Sequence, residues 1–239
     1  MNRPRHEFTS EETTELLGEL DARLRARGIA ASIFVVGGAA MAANHTRRDR
    51  LTEDVDALTR DNVVIEEAQA LARERGLPTN WLNPNASMWM PPLPSGVLDQ
   101  PGEPGLRVTY ADEGFLFATK LTAQRAKDAD DVLALASRLG LQAASPEQLE
   151  AHIRSYYTDQ AMLEFIVEGS DVDREIQLLA QDASRMLHRS TAAEPSNDSP
   201  TANQPLDAEQ GSLGPSTDLE SRTLPDLEGK RAHRPGPAR

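Results

Sequence analysis

The chain has 239 residues, with 25 lysines and arginines against 38 aspartates and glutamates, for a formal charge of −13. A chain this acidic is a poor non-specific binder of nucleic acid, because phosphate contacts dominate that affinity. It has no cysteine, which excludes a disulfide framework, a thiolate metal site and a cysteine nucleophile.

In chain order, Thr9 or Ser10 caps a first helix whose opening turn carries Glu11 and Glu12, favourable against the helix dipole. Leu16, Leu17, Leu20 and Leu24 recur at helical spacing until Gly28. Residues 31–36 read as a buried strand, and the glycines Gly37 and Gly38 open a short helix over 39–44. A second strand is expected over 54–58. Asn62 caps a helix running to about Arg75, stopped by Gly76 and Pro78. Residues 81–90 are apolar but irregular, and the prolines after them mark a loop. A third strand suits 106–110, which is rich in β-formers. Asp112 or Glu113 opens a long helical segment to about Leu139, and Ser145-Pro146-Glu147 starts another helix. Helices near 160–168 and 171–188 follow.

The strands fall in the first half and helices dominate the rest. The expected class is α+β: a small mixed sheet, then a helical segment, then a disordered tail. The expected divisions are a domain over 1–140, a helical extension over 141–189 and an acidic, proline-rich tail over 190–239. From about 190 onward there is no Val, Ile, Phe, Tyr or Trp, and seven of the sixteen prolines lie there. So little apolar surface does not offset the entropy of ordering. The basic run near the end, Lys230-Arg231-Ala232-His233-Arg234, is read as a solvated terminus rather than a nucleic-acid contact. No apolar run approaches the ~18 residues of a spanning helix, and no leader-like apolar segment opens the chain. A cytoplasmic protein with no membrane partner is therefore expected. The five histidines lie at no ligand spacing, which argues against zinc.

The chemistry is concentrated in two stretches. In Asp54-Val55-Asp56 the carboxylates are at i and i+2, on one side of a strand, with Val55 on the other. Parallel carboxylates repel each other unless a cation lies between them, and hard oxygen ligands suit Mg²⁺. The alternative is a solvated acidic strand edge. Ahead of them, Gly37 and Gly38 would let backbone N–H groups approach a phosphate; a tight turn without a ligand needs only one permissive residue. In the second stretch, Leu121, Val132, Leu135 and Leu139 form an apolar stripe bordered by Lys120, Asp128 and Asp131. Charges there suggest either a site or a buried ion-pair network. Asp128 could equally be the N-cap of a broken helix. Any nucleic-acid contact would need a local basic patch, for which Arg47, Arg48 and Arg50 are the candidates.

The order Gly-Gly, then Arg50-Leu51-Thr52-Glu53-Asp54-Val55-Asp56, then the Lys120 to Val132 segment resembles the nucleotidyltransferase superfamily, the polymerase-beta-like fold. The nearer likeness is to bacterial nucleotidyltransferase-like proteins related to abortive-infection and toxin–antitoxin toxins, over roughly residues 30–140. The resemblance implies a Mg²⁺-dependent transfer of NMP from an NTP to an acceptor. That acceptor could be RNA, such as the 3′ end of tRNA, with an antitoxin protein as partner. It makes Asp54 and Asp56 the catalytic metal ligands, and Lys120 and Asp128 further catalytic residues. Gly37, Gly38, Arg50 and Thr52 become nucleotide-binding, although an arginine in a loop is as readily solvated. Trp81 and Asn83 also fit the nearer family, Trp81 as a core or lid anchor ahead of a base-stacking platform. The superfamily commonly has a third metal carboxylate on a later strand. Here only Asp112 offers itself, and it suits a helix N-cap equally well. Two other readings therefore stand beside the first: a nucleotide-binding module without transfer, and an enzyme modifying a cationic small molecule such as an antibiotic.

Overall fold

The computed structural model describes residues 6–47, 49–167 and 169–193. The tail expected over 190–239 lies outside the described residues beyond 193, as does Arg48. The fold is α+β, as expected, with one four-stranded mixed sheet and eight α-helices among the described residues.

Helix α1 (Ser10–Ala26) starts at a capping box in which Thr9 accepts from the Glu12 N–H and the Glu12 side chain reaches back to the Thr9 N–H. Its buried stripe, Leu16, Leu17, Leu20 and Leu24, packs toward the sheet. Strand β1 (Ala30–Val35) follows and is buried over almost its whole length. It lies between β2 (Val55–Thr59), antiparallel to it, and β4 (Gly105–Tyr110), parallel to it. A strand buried on both faces reads as a continuous apolar run, which is why residues 31–36 were legible without alternation.

Strand β3 (Leu82–Asn83) pairs parallel with β2 and completes the order β3-β2-β1-β4. This fourth strand lies in the stretch read from sequence as irregular; two residues are too few to display a period. The rest of that stretch is a 3₁₀ turn, Asn85–Trp89. Between β1 and β2 comes α2 (Gly37–Ala43), and α3 (Asn62–Arg75) connects β2 to β3, ending at the left-handed Gly76.

The long helix expected to run to about Leu139 is two helices. Gln124, at φ 42°, ends α4 (Glu113–Ala123); a 3₁₀ turn, Ala126–Asp128, leads into α5 (Ala129–Leu139). No glycine or proline marks this break, so periodicity runs through it. Asp112 caps α4, accepting the Phe115 N–H at 2.7 Å. Helices α6 (Pro146–Tyr156), α7 (Gln160–Ile166) and α8 (Val172–Ala193) complete the fold, α6 opening at a Ser145 capping box. The last of these passes the expected end near 188 by about one turn. Helix α6 packs against α4 and α8, and Phe34 of β1 meets Phe115 of α4 edge-on at 5.2 Å. One core therefore runs from the sheet into the helices. No helix among the described residues is long and apolar enough to cross a membrane.

Candidate functional site

Asp54 and Asp56 flank the fully buried Val55 where β2 begins, and the charge of Asp54 is felt at Asp56. The neighbouring strand orients Asp54. Asn83, buried and in register with Asp56, donates its amide to Asp54 Oδ2 at 2.9 Å. The other end of that amide, Oδ1, accepts the Asn85 N–H at 2.9 Å, so the side chain is held at both ends. Thr52 donates its hydroxyl to the Asp54 carbonyl at 2.6 Å. Thr52 is itself pinned by two backbone hydrogen bonds to the buried Phe8, at 2.7 and 3.1 Å.

Burial pushes the Asp56 carboxyl up to about 6, and the Asp54 charge adds to it; Arg125, Lys120 and Lys127 pull the other way. Arg125 and Lys127, in the basic turn after α4, thus act on Asp56. A pair in which one member is reluctant to ionise gains from any cation placed between them. Among the described residues no group of three or more His, Asp or Glu is arranged around a metal position. Two carboxylates nevertheless fit Mg²⁺, which is commonly held by one or two carboxylates together with substrate phosphates and water.

The glycine pair packs directly against this site. Gly37 has φ 64°, and a Cβ there would stand 3.2 Å from Asp56 Oδ2. At Gly38 a Cβ would stand 3.1 Å from Thr52 Oγ1 and 3.6 Å from Arg50 Nε. A lone turn needs one left-handed residue; here the first glycine supplies it and the second supplies close approach. Arg50 Nε is buried there with no hydrogen-bond partner.

The second stretch folds into a charge network. The Lys120 ammonium is buried and donates to Asp128 Oδ1 at 2.6 Å and Asp131 Oδ2 at 2.9 Å. Arg125 meets Asp128 at 2.7 Å, while Arg47 and Arg50 each meet the fully buried Asp131 at 3.1 Å. Burial alone would raise the Asp128 carboxyl, but Lys120 and Arg125 together hold it below the usual carboxylate range. The network joins the α2–β2 connection, through Arg47 and Arg50, to α4 and α5. Beside it, a cavity of about 200 Å³ is lined by Lys120, Gln124, Arg125, Asp182, Met186 and Arg189.

The expected site residues therefore fall into two linked groups. Gly37, Gly38, Thr52, Asp54 and Asp56 share one; Lys120 and Asp128 share the other; Arg50 touches both. Asp112 is occupied as the α4 cap and accepts from the Tyr156 hydroxyl at 3.4 Å. Trp81 is fully buried with its indole N–H on the Ala68 carbonyl at 2.9 Å, an anchor of the core. Lys127, one of the cations acting on Asp56, carries no sequence signal beyond its place in a basic run. Comparison with protein-family models, curated proteins and solved structures finds no match to this chain.

Proposed function

We propose that the protein is a metal-dependent nucleotidyltransferase of the polymerase-beta-like kind, moving an NMP from an NTP to an acceptor hydroxyl. The observation that carries this reading is the Asp54–Asp56 pair, with Asp56 pushed up to about 6, set between a glycine turn and a basic turn. Asp54 and Asp56 would hold Mg²⁺, which when bound supplies charge neutralisation at the transferring phosphate. Asn83 and Thr52 orient Asp54 and its backbone. Gly37 and Gly38 let their backbone pack against Asp56 and Thr52, and Arg50 carries a buried, unpartnered Nε beside Gly38.

In the transfer, the acceptor oxygen bonds to the α-phosphorus, the bond to the α–β bridging oxygen breaks, and pyrophosphate leaves. The acceptor's hydroxyl proton leaves to solvent water as the new bond forms. Arg125 and Lys127 face the developing negative charge. Lys120 and Asp128 act on this reading by positioning that basic turn, since the lysine's charge is already shared between two carboxylates. An RNA acceptor such as a tRNA 3′ end, and an antitoxin partner, rest on the resemblance of motifs. The acidic chain also accommodates a cationic small-molecule acceptor.

A second reading has a specific observation in its favour. With Asp112 engaged as a helix cap, no third carboxylate among the described residues joins the pair, which suits a module that binds a nucleotide without transferring it. The deciding experiment incubates the protein with Mg²⁺, each α-³²P-labelled NTP and total bacterial RNA, beside the Asp54→Asn/Asp56→Asn double variant. Label entering a tRNA-sized band with the natural protein alone supports transfer to RNA. Absence of label in RNA and in an aminoglycoside panel, with NTP binding by calorimetry, supports the binding module.

A further inference from the structure

Met88 is 60 % exposed, Trp89 52 % and Phe165 47 %, the three most exposed large apolar side chains among the described residues. Trp89 and Phe165 lie together, ring centroids 5.1 Å apart and planes 32° from parallel, joining the 3₁₀ turn after β3 to α7. A pair of exposed aromatics in contact offers a flat apolar face of the kind found at binding sites.

Both tethers of Trp89 lead to the carboxylate site. On one side its turn begins at Asn85, whose N–H is held by the same Asn83 amide that donates to Asp54. At ~2 Å per residue, that turn places Trp89 within about 10 Å of Asn85. On the other side the Trp89 carbonyl accepts from the buried Tyr157 hydroxyl at 2.9 Å. That hydroxyl lies 3.2 Å from Thr122 Oγ1, near the end of α4 and just before the basic turn that acts on Asp56. The backbone that carries the indole is therefore tied both to the residue that orients Asp54 and to the end of α4.

We propose that the Trp89–Phe165 pair is the stacking platform for the base of a nucleoside triphosphate whose phosphates lie at Asp54, Asp56 and the basic turn. This rests on the reading of the carboxylate pair as a nucleotide site. A second protein copy fits the patch poorly. Three half-exposed side chains offer on the order of 300 Å², whereas a stable interface needs about 800 Å² from each partner. A base offers a flat apolar face and asks for nothing else, because stacking tolerates any base.

The chain has two tryptophans, and Trp81 is fully buried, so a ligand that stacks changes the emission of Trp89. The full chain with Mg²⁺ is titrated with ATP, GTP, CTP and UTP, and with inorganic triphosphate, which has the phosphates without a base. All four nucleotides are expected to quench Trp89, while triphosphate competes with them without quenching. Trp89→Ala is expected to weaken nucleotide binding about 10- to 100-fold and leave triphosphate binding unchanged, with Trp89→Phe within a few-fold of the natural protein. Nucleotide affinity unchanged in Trp89→Ala would overturn the platform while leaving the phosphate site standing. Binding of neither triphosphate nor nucleotide would overturn both. Self-association abolished by Trp89→Ala, without nucleotide quenching, would assign the patch to a second copy and overturn the proposal.

Discussion

An aspartate whose carboxyl is pushed up to about 6 makes the metal-free protein sensitive to pH in a definite direction. Between the ordinary value of 3.8 and about 6 the folded chain binds more protons than the unfolded chain. Stability is thus greatest below that window, falls as pH rises through it, and levels off above. Asp56→Asn removes the term, so in metal-free buffer the variant is expected to be more stable than the natural protein at pH 7.5, by up to about 3 kcal/mol. The gain should shrink toward pH 4, and urea midpoints at the two pH values measure it. A gain independent of pH would show that Asp56 does not titrate in this window. Label transfer by Asp54→Asn or Asp56→Asn should each fall at least about 100-fold, removing a ligand from the proposed metal. That these two residues act on each other was expected from their i, i+2 spacing, although Asp54 stands just ahead of β2 rather than on it. The height of the Asp56 shift was not, because burial there depends on neighbouring strands and on Gly37, distant in sequence.

At the scale of elements, Lys120 and Asp131 lie eleven residues apart, and on one continuous helix they would stand about three turns from each other. The left-handed Gln124 folds the segment back and brings the ammonium to 2.9 Å of the carboxylate. A polar side chain adopting positive φ leaves no trace in hydrophobic periodicity; the sequence marked the break only through Asp128, which is the N-cap position of α5. Lys120→Met should destabilise the fold by about 3 kcal/mol or more, since Asp128 and Asp131 lose their buried partner. The Lys120→Met/Asp128→Asn double variant should lose less than the two single losses combined; simple additivity in denaturant midpoints would argue against coupling. In the glycine turn, Gly37→Ala places a Cβ on a left-handed residue at a cost of about 1–2 kcal/mol, seen as a lowered melting temperature. Strand β3 escaped sequence reading for a different reason: its two residues pair with β2 through tertiary register, and the apolar stretch around it has no period.

Across the whole molecule, charge and pH meet in metal binding. Mg²⁺ at a hundred times its Kd would raise stability by about 2.7 kcal/mol. A proton on Asp56 competes with the metal, so the apparent affinity should fall about tenfold per pH unit below 6 and level off above it. Thermal shifts with Mg²⁺ at pH 5 and 7.5 test this, and the Asp54→Asn/Asp56→Asn variant should show no shift. An equal shift in that variant would mean that the metal is gathered by the acidic surface of a −13 chain rather than by the pair. The sequence by itself determined the α+β class, a cap at Thr9 or Ser10, the cap at Ser145, and the strands β1, β2 and β4. Each of these is encoded within a few consecutive residues. Only the tertiary structure decided that Asp112 is a cap, that Lys120 is enclosed by two aspartates, and that Trp81 is buried while Trp89 is exposed. Those outcomes depend on which distant segments pack together, and neither residue type nor local spacing specifies that.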